Sequence, residues 1–380
     1  MRILNFLRTV KKSFSKYRPS VEVFVFRDNL IHNLREYQRQ YPKLSFSPVL
    51  KSNAYGHGLA LVAKILDKES IAFLAVDSLF EAMMLRSEGI KSEILVIGYT
   101  SAENIKNSKL SGVAFTITSL EHLRAVSQII DKPKKLHLKI DTGMSRQGLL
   151  PNQAAEAMGI IKKNKFINLE GLLSHLSDAD GSDGNFTKMQ IKQWQECSDI
   201  FRKNLPEIKY YHLSASSGIG YSESFASNTV RLGLGLYGFN VSSLVKLNLK
   251  PALRMESIIS CVKGIPAGAG VGYNATYKTL APIKIATVPV GYFEGVDRRL
   301  SNKGFLKIGG KFCPIIGRVS MNITTIDVSS VSEIKLGDKV IVISEKSEDK
   351  NSVEQMALLT QTIPYDDLVH IPQHLRRIII

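Results

Sequence analysis

Ser45-Phe46-Ser47-Pro48-Val49-Leu50-Lys51-Ser52-Asn53-Ala54-Tyr55-Gly56-His57-Gly58 is the stretch on which the reading of this chain turns. It begins as a short β-type run, ends that run on a lysine, and passes through two glycines into a segment with helical periodicity, 58–67. The same texture recurs downstream. β-type runs are expected at 45–51, 71–76, 93–99, 112–118, 135–141, 167–175, 208–214 and 228–233. Amphipathic segments at 58–67, 78–87, 120–130, 153–163 and 189–204 lie between them, and Ser78 and Ser119 are good N-caps for two of these. Eight runs alternating with helices over about 190 residues predict an α/β fold, a parallel (β/α)8 barrel. The alternative is an open doubly wound sheet, but no Gly-x-Gly-x-x-Gly follows the first run to support it.

Beyond about residue 245 the texture changes. Short β-type runs at 258–262, 283–289, 305–308 and 339–343 are broken by Pro266, Gly268, Gly309 and Gly310, and helical periodicity returns only near 353–359. The expected organisation is a basic amphipathic extension (1–18), a barrel (19–244) and a mostly β C-terminal domain (245–380).

Composition excludes several classes. The 380 residues are 44% hydrophobic and 22% charged, ordinary for a globular protein, and no apolar run is long enough to span a bilayer. Cys197, Cys261 and Cys313 are scattered and form no Cys-x-x-Cys pair, which argues against a disulfide framework or a metal site and suits a reducing, cytoplasmic setting. The net charge of +16 is spread along the chain without a basic tract interleaved with aromatics, so nucleic acid is not an expected partner. One local excess stands out. Residues 1–18 hold Arg2, Arg8, Lys11, Lys12, Lys16 and Arg18 with no acid, while Ile3, Leu7, Val10, Phe14 and Tyr17 form one helical stripe. The stretch is short, charge-interrupted and lacks a small-residue cleavage site, so a surface-packed helix is expected rather than a secretory signal or a membrane contact.

In a β/α barrel, side chains at the C-terminal ends of the strands converge on the active site. Lys51 ends such a strand after an apolar run, the placement expected of an amine used in Schiff-base chemistry. Tyr55 offers a hydroxyl nearby, and Gly56 and Gly58 allow close backbone approach around His57. With these neighbours the sequence resembles the alanine racemases, fold-type-III pyridoxal-phosphate enzymes. The resemblance covers nearly the whole chain beyond residue 18, and Lys-x-Asn-Ala-Tyr-Gly-His-Gly is a specific signature of the family.

The resemblance implies that Lys51 carries pyridoxal 5'-phosphate and that Tyr55 contacts its phosphate. Racemisation removes a proton from one face of the α-carbon and returns one to the other, so it needs a second acid/base group. Val271-Gly272-Tyr273-Asn274-Ala275-Thr276-Tyr277 resembles the family's catalytic tyrosine segment, with Tyr273 in the catalytic position. Gly233, Leu234 and Ser216 match phosphate-binding positions, and Arg231 matches the arginine facing the pyridine nitrogen. His175 and His212 resemble histidines linking that arginine to the catalytic tyrosine. Arg146 is the implied partner of the substrate carboxylate, and Lys139 the lysine whose carbamate would hold Arg146. Met321 would offer its backbone amide to the substrate, and Tyr365 would line the site and reach the phosphate. Tyr292, Arg298, Arg318 and Asp180 fall at the substrate entrance.

The family further implies a cytoplasmic isomerase that supplies D-alanine for peptidoglycan. It implies a head-to-tail homodimer with shared sites, so that Tyr273 and Met321 act in trans. Three positions depart from the family pattern: Asn322 stands for an acid, Tyr292-Phe293-Glu294-Gly295 for Tyr-Ala-Asp-Gly, and Ala215 for an asparagine. They leave a broad-specificity racemase acting on serine or lysine as one alternative. The other is a non-catalytic pyridoxal-phosphate-binding protein, against which the second domain and Tyr273 argue.

Overall fold

The computed structural model describes residues 17–181, 183–224 and 226–380. The helix expected over 1–18 therefore lies outside the described residues except for its last two positions. The chain divides into two compact units, Phe26–Ala252 and a second unit that joins the residues up to Val25 to Leu253–Ile380.

The first described strand, β1 (Glu22–Val25), belongs to the second unit, and the chain then enters the first. There α1 (Arg27–Gln40) precedes β2 (Ser45–Pro48), α2 (Leu59–Leu66), β3 (Leu74–Val76), α3 (Leu79–Ser87), β4 (Ile94–Val96) and α4 (Ala102–Asn107). The alternation continues through β5 (Val113–Ile117), α5 (Leu120–Ile129), β6 (Lys134–Lys139), α6 (Ala154–Lys163), β7 (Ile167–Leu173), α7 (Asn185–Asn204), β8 (Tyr210–His212) and β9 (Thr229–Leu232). Strands β3 to β8 form a parallel sheet in sequence order, and β2 pairs in parallel with β9. Isolated parallel bridges at Val49–Ala75 and Ala215–Arg231 join the two sheets, so the eight strands close into the expected barrel. Phe46, Leu50, Leu74, Val76, Leu95, Phe115 and Leu138 are among the buried side chains of this unit. Ser78 caps α3 in a reciprocal arrangement with Glu81, and Ser119 accepts from the His122 amide at the start of α5. The sequence reading passed over α1, although its buried Leu30, Leu34 and Tyr37 share the four-then-three spacing of a helix face.

The second unit contains β10 (Leu253–Ile258), β11 (Cys261–Ile265), β12 (Gly270–Val271), β13 (Tyr277–Lys278), β14 (Ile283–Val288), β15 (Phe305–Ile308), β16 (Lys311–Pro314), β17 (Thr324–Asp327) and β18 (Lys339–Ile343). Two helices, α8 (Val353–Thr360) and α9 (Pro364–Val369), and the final strand β19 (Arg376–Ile379) complete it. The main sheet runs β16-β15-β18-β10-β1-β19, with β11-β14-β17 and β12-β13 as smaller sheets. It is mostly β, as expected. Residues 22–25, expected with the barrel, lie between β10 and β19 instead, where Val23 and Val25 are fully buried.

Candidate functional site

The barrel's contribution starts at Lys51, half-buried just beyond β2. The next four residues, Ser52, Asn53, Ala54 and Tyr55, have φ of 56°, 58°, 52° and 49°. A run of left-handed non-glycine residues costs about 1–2 kcal/mol each, and local bonds hold it. The Ser52 amide donates to Glu81 Oε1 (2.8 Å), the Ala54 amide to the Leu50 carbonyl (2.7 Å) and the Leu59 amide to Asn53 Oδ1 (3.0 Å). Gly56 (φ 79°) and Gly58 (φ 102°) continue the positive-φ path, which is why the motif needs glycine there.

This turn buries the Tyr55 ring against Tyr237, 5.1 Å between centroids. A Cβ added at Gly233 would stand 3.3 Å from Tyr55 Oη and 3.9 Å from Ser216 Oγ. Ser216 Oγ also accepts from the Gly233 and Gly235 amides at 2.9 and 3.2 Å. Two hydroxyls and glycine amides thus converge beside buried Leu234, a cradle suited to an anion such as a phosphate.

On β9, Arg231 is 5% exposed. Its guanidinium donates to the carbonyls of Ser174 (2.7 Å), His212 (2.5 Å) and Leu213 (2.9 Å), and to Nδ1 of His212 (2.8 Å) and His175 (3.0 Å). None of these acceptors is a carboxylate. Burial brings this guanidinium down to about 10, still charged at neutral pH. Burial, then the charge of Arg231, pushes His175 and His137 down to about 3 and His212 well below its usual range, so all three imidazoles are neutral. Because Arg231 donates to His212 Nδ1, the His212 proton sits on Nε2, which donates to His137 Nδ1 at 2.9 Å. The sequence reading missed His137, in the middle of β6. Its only trace is Gly171 on the neighbouring strand, where any Cβ would overlap the imidazole.

Lys139, at the end of β6, is 8% exposed. Burial first, then the charges of Arg231, Arg146 and Lys51, bring its amine down to about 8. Arg146 is exposed on the loop after β6, whose backbone is shaped by Asp141 Oδ1 accepting from the amides of Gly143 (2.9 Å) and Ser145 (3.1 Å). Four cationic side chains therefore share one neighbourhood, which suits an anionic ligand. Asp180 is exposed elsewhere on this unit.

The second unit contributes exposed groups. Tyr273 sits between Gly272 (φ 69°) and Asn274 (φ 62°) and is 67% exposed. Gly272 packs on the backbone of Arg318. Met321 is 56% exposed, and its turn is tied to the Tyr292 turn by the Tyr292 amide on the Ser320 carbonyl (3.1 Å) and the Phe293 amide on the Met321 carbonyl (2.9 Å). Asn322 Nδ2 adds a bond to Glu294 Oε1 at 2.7 Å. Arg298 is exposed beyond that turn, and Tyr365 is half-buried in α9. Among the described residues no helix is long and apolar enough to cross a membrane.

Family models described as alanine racemase, N-terminal domain, and alanine racemase, C-terminal domain, match residues 25–241 and 252–379. Alanine racemase 2 of Caldanaerobacter subterraneus subsp. tengcongensis is 34% identical over 97% of this chain and 96% of its own. The structure of alanine racemase from Clostridium difficile 630 aligns with a TM-score of 0.88 at 31% identity, covering 96% of this chain and 97% of that one. The alanine racemase from Bacillus anthracis with bound L-Ala-P aligns with a TM-score of 0.87 at 29% identity, covering 96% of both chains.

Proposed function

The chain belongs to the alanine racemase family, and from that premise we propose that it interconverts L- and D-alanine by a two-base route, with Lys51 on one face of the substrate and Tyr273 on the other. Members of this family are pyridoxal-5'-phosphate-dependent racemases that act on an amino acid. The observation that carries the mechanistic reading is Arg231, a buried cation whose acceptors are carbonyls and neutral imidazoles.

Bound pyridoxal phosphate supplies the electron withdrawal that acidifies the substrate α-carbon. Arg231 would set a fixed positive charge facing the ring nitrogen and disfavour a proton there, which would limit charge build-up and favour direct proton exchange over side reactions. Tyr55, Ser216, Gly233 and Leu234 hold the phosphate, with Tyr365 as a further contact. Lys51 Nζ would tether the cofactor and take or return the α-proton on its own face. Tyr273 Oη does the same on the opposite face, so the two exchange roles as acid and base when the direction reverses. Arg146 fixes the substrate carboxylate with paired N–H donors, and the Met321 amide adds a third. Lys139, brought down to about 8, keeps a neutral fraction of roughly a tenth at pH 7, enough to combine with carbon dioxide, lose a proton and stand as a carbamate beside Arg146. Tyr292 narrows the entrance and favours small zwitterions.

A base as exposed as Tyr273 works poorly in open water, which supports a head-to-tail homodimer where the partner subunit's Tyr273 completes each site. Three free thiols suit the cytoplasm, where D-alanine would be made for peptidoglycan. The test is purified protein given L-alanine, L-serine or L-lysine, followed by chiral analysis. D-alanine forming fastest is expected. No D-enantiomer from any of them would sink the reading, and D-serine or D-lysine forming fastest would move it to a broad-specificity racemase.

A further inference from the structure

Two of the positions that depart from the family pattern, Asn322 and Glu294, touch each other. Glu294 is 9% exposed, and its two carboxylate oxygens are divided between two donors: Oε1 accepts from Asn322 Nδ2 at 2.7 Å, and Oε2 from the Gly291 amide at 2.8 Å. Glu294 lies on the turn that carries Tyr292, and Asn322 follows Met321. Two backbone bonds already join these turns, and the side-chain bond is the third tie. His374, Arg376 and Tyr17 line the cavity that Glu294 and Asn322 face, and Arg376 is itself paired with Glu22 at 3.5 Å. His374 also stacks on Phe293, 5.1 Å between centroids. With glutamate at 294, Asn322 supplies the donor from which Oε1 accepts. An aspartate there would set two carboxylates at hydrogen-bond distance in a half-dry site, where they must share a proton or move apart.

We propose that Asn322 and Glu294 are a matched positioning pair, which fixes the Met321 turn against the Tyr292 turn and so sets how tightly a small amino acid is held. The neutral amide at 322 and the carboxylate at 294 are complementary: a second charge introduced at 322 breaks the tie, and removing the charge at 294 along with it restores the tie. The proposal rests on the reading of Met321 and Tyr292 as substrate-side groups, so its test carries a readout independent of turnover.

The test compares wild type, N322D, E294Q and N322D/E294Q between pH 6 and 9, by KM and kcat for L-alanine and by melting temperature. In N322D the KM should rise at least about fivefold at pH 8 with a smaller change in kcat, and recover towards pH 6 as the pair takes up a proton. Its melting temperature should fall below wild type by an amount that grows with pH. In the double variant the new amide at 294 can accept from the Gly291 amide and donate to the new carboxylate at 322. Both measures should then return to within about twofold and a degree or two of wild type. E294Q alone should stay close to wild type, because Asn322 can turn its oxygen to the new amide. If N322D does not fold, Asn322→Ala removes the donor without adding charge and should give a KM rise independent of pH that E294Q does not correct. A wild-type KM and melting profile in N322D, or no rescue in the double variant, would overturn the pairing. Absence of D-alanine from wild type would overturn the substrate reading, while the melting cycle would still decide the pair.

Discussion

The barrel and the second unit prepare their functional groups in opposite ways. In the barrel, Arg231, Lys139, His212, Ser216 and Tyr55 are all buried, and most of their polar atoms are spoken for by backbone carbonyls and neighbouring side chains. In the second unit Tyr273, Met321, Tyr292 and Phe293 are more than two-fifths exposed and stand on short turns. Buried groups in low dielectric have their protonation set by the fold itself, as the neutral imidazoles around Arg231 illustrate. Exposed groups on turns acquire their final environment only when something covers them. On the proposed reading, the cofactor groups are finished within the barrel, while the substrate groups of the second unit acquire their environment on assembly.

The sharpest way to break this contrast is to remove the barrel's reactive amine. Lys51→Ala should lower racemisation at least about 10³-fold and abolish the visible absorbance band of the bound cofactor, read by chiral chromatography and spectrophotometry. On the exposed side, Tyr273→Phe should cost about 10²-fold, unequally for the two enantiomers because each base serves one of them. Mixing the two inactive variants then asks where the halves meet. Sites built in trans should regain about a quarter of wild-type activity after subunit exchange, since half the dimers are mixed and half their sites are intact. No recovery after verified exchange would place both groups in one chain.

Acid tests the buried side by stability. His137 is neutral in the fold until about pH 3 and takes up its proton near pH 6.5 when unfolded, so the fold loses stability as pH falls below 6.5. At pH 5 this one group should cost about 2 kcal/mol relative to pH 7, a slope that denaturant titration should find flattened in His137→Leu. The second unit should show the opposite dependence. Burial, then the charges of Asp297 and Asp366, raise Asp367 to about 7, so its contribution is favourable in acid and is lost as pH rises through 7. Asp367→Asn should therefore raise the unfolding free energy at pH 8 by at least about 1 kcal/mol, with no gain at pH 4.

Much of the barrel was legible because several β-type runs end near a chemistry-bearing residue, and Lys51, Lys139, His175 and Arg231 come together as that rule requires. His137 was not legible, because nothing local separates a strand histidine that bonds another imidazole from one that only packs. The bond between Asn322 and Glu294 was hidden for a related reason. Each departure is visible alone, but their contact depends on how two turns about 28 residues apart in sequence are laid together. The fate of residues 22–25 depended on partners still farther away. Four residues alternating inward and outward fit a strand in either unit until β10 and β19 supply their hydrogen bonds.

That strand has a consequence for how the protein is made. Phe26–Ala252 is one uninterrupted stretch, so the barrel can fold on the ribosome as soon as its last strand emerges. The main sheet of the other unit has no such freedom. Its β1 is synthesised before the whole barrel, yet one of its two neighbours, β19, follows every other strand of both units. About 350 residues separate these partners, a loop closure that must wait until Arg376–Ile379 has emerged. Until then β1 presents Val23 and Val25 with one edge unpaired, and a nascent chain stalled short of β19 would expose an adhesive strand beside an already finished barrel.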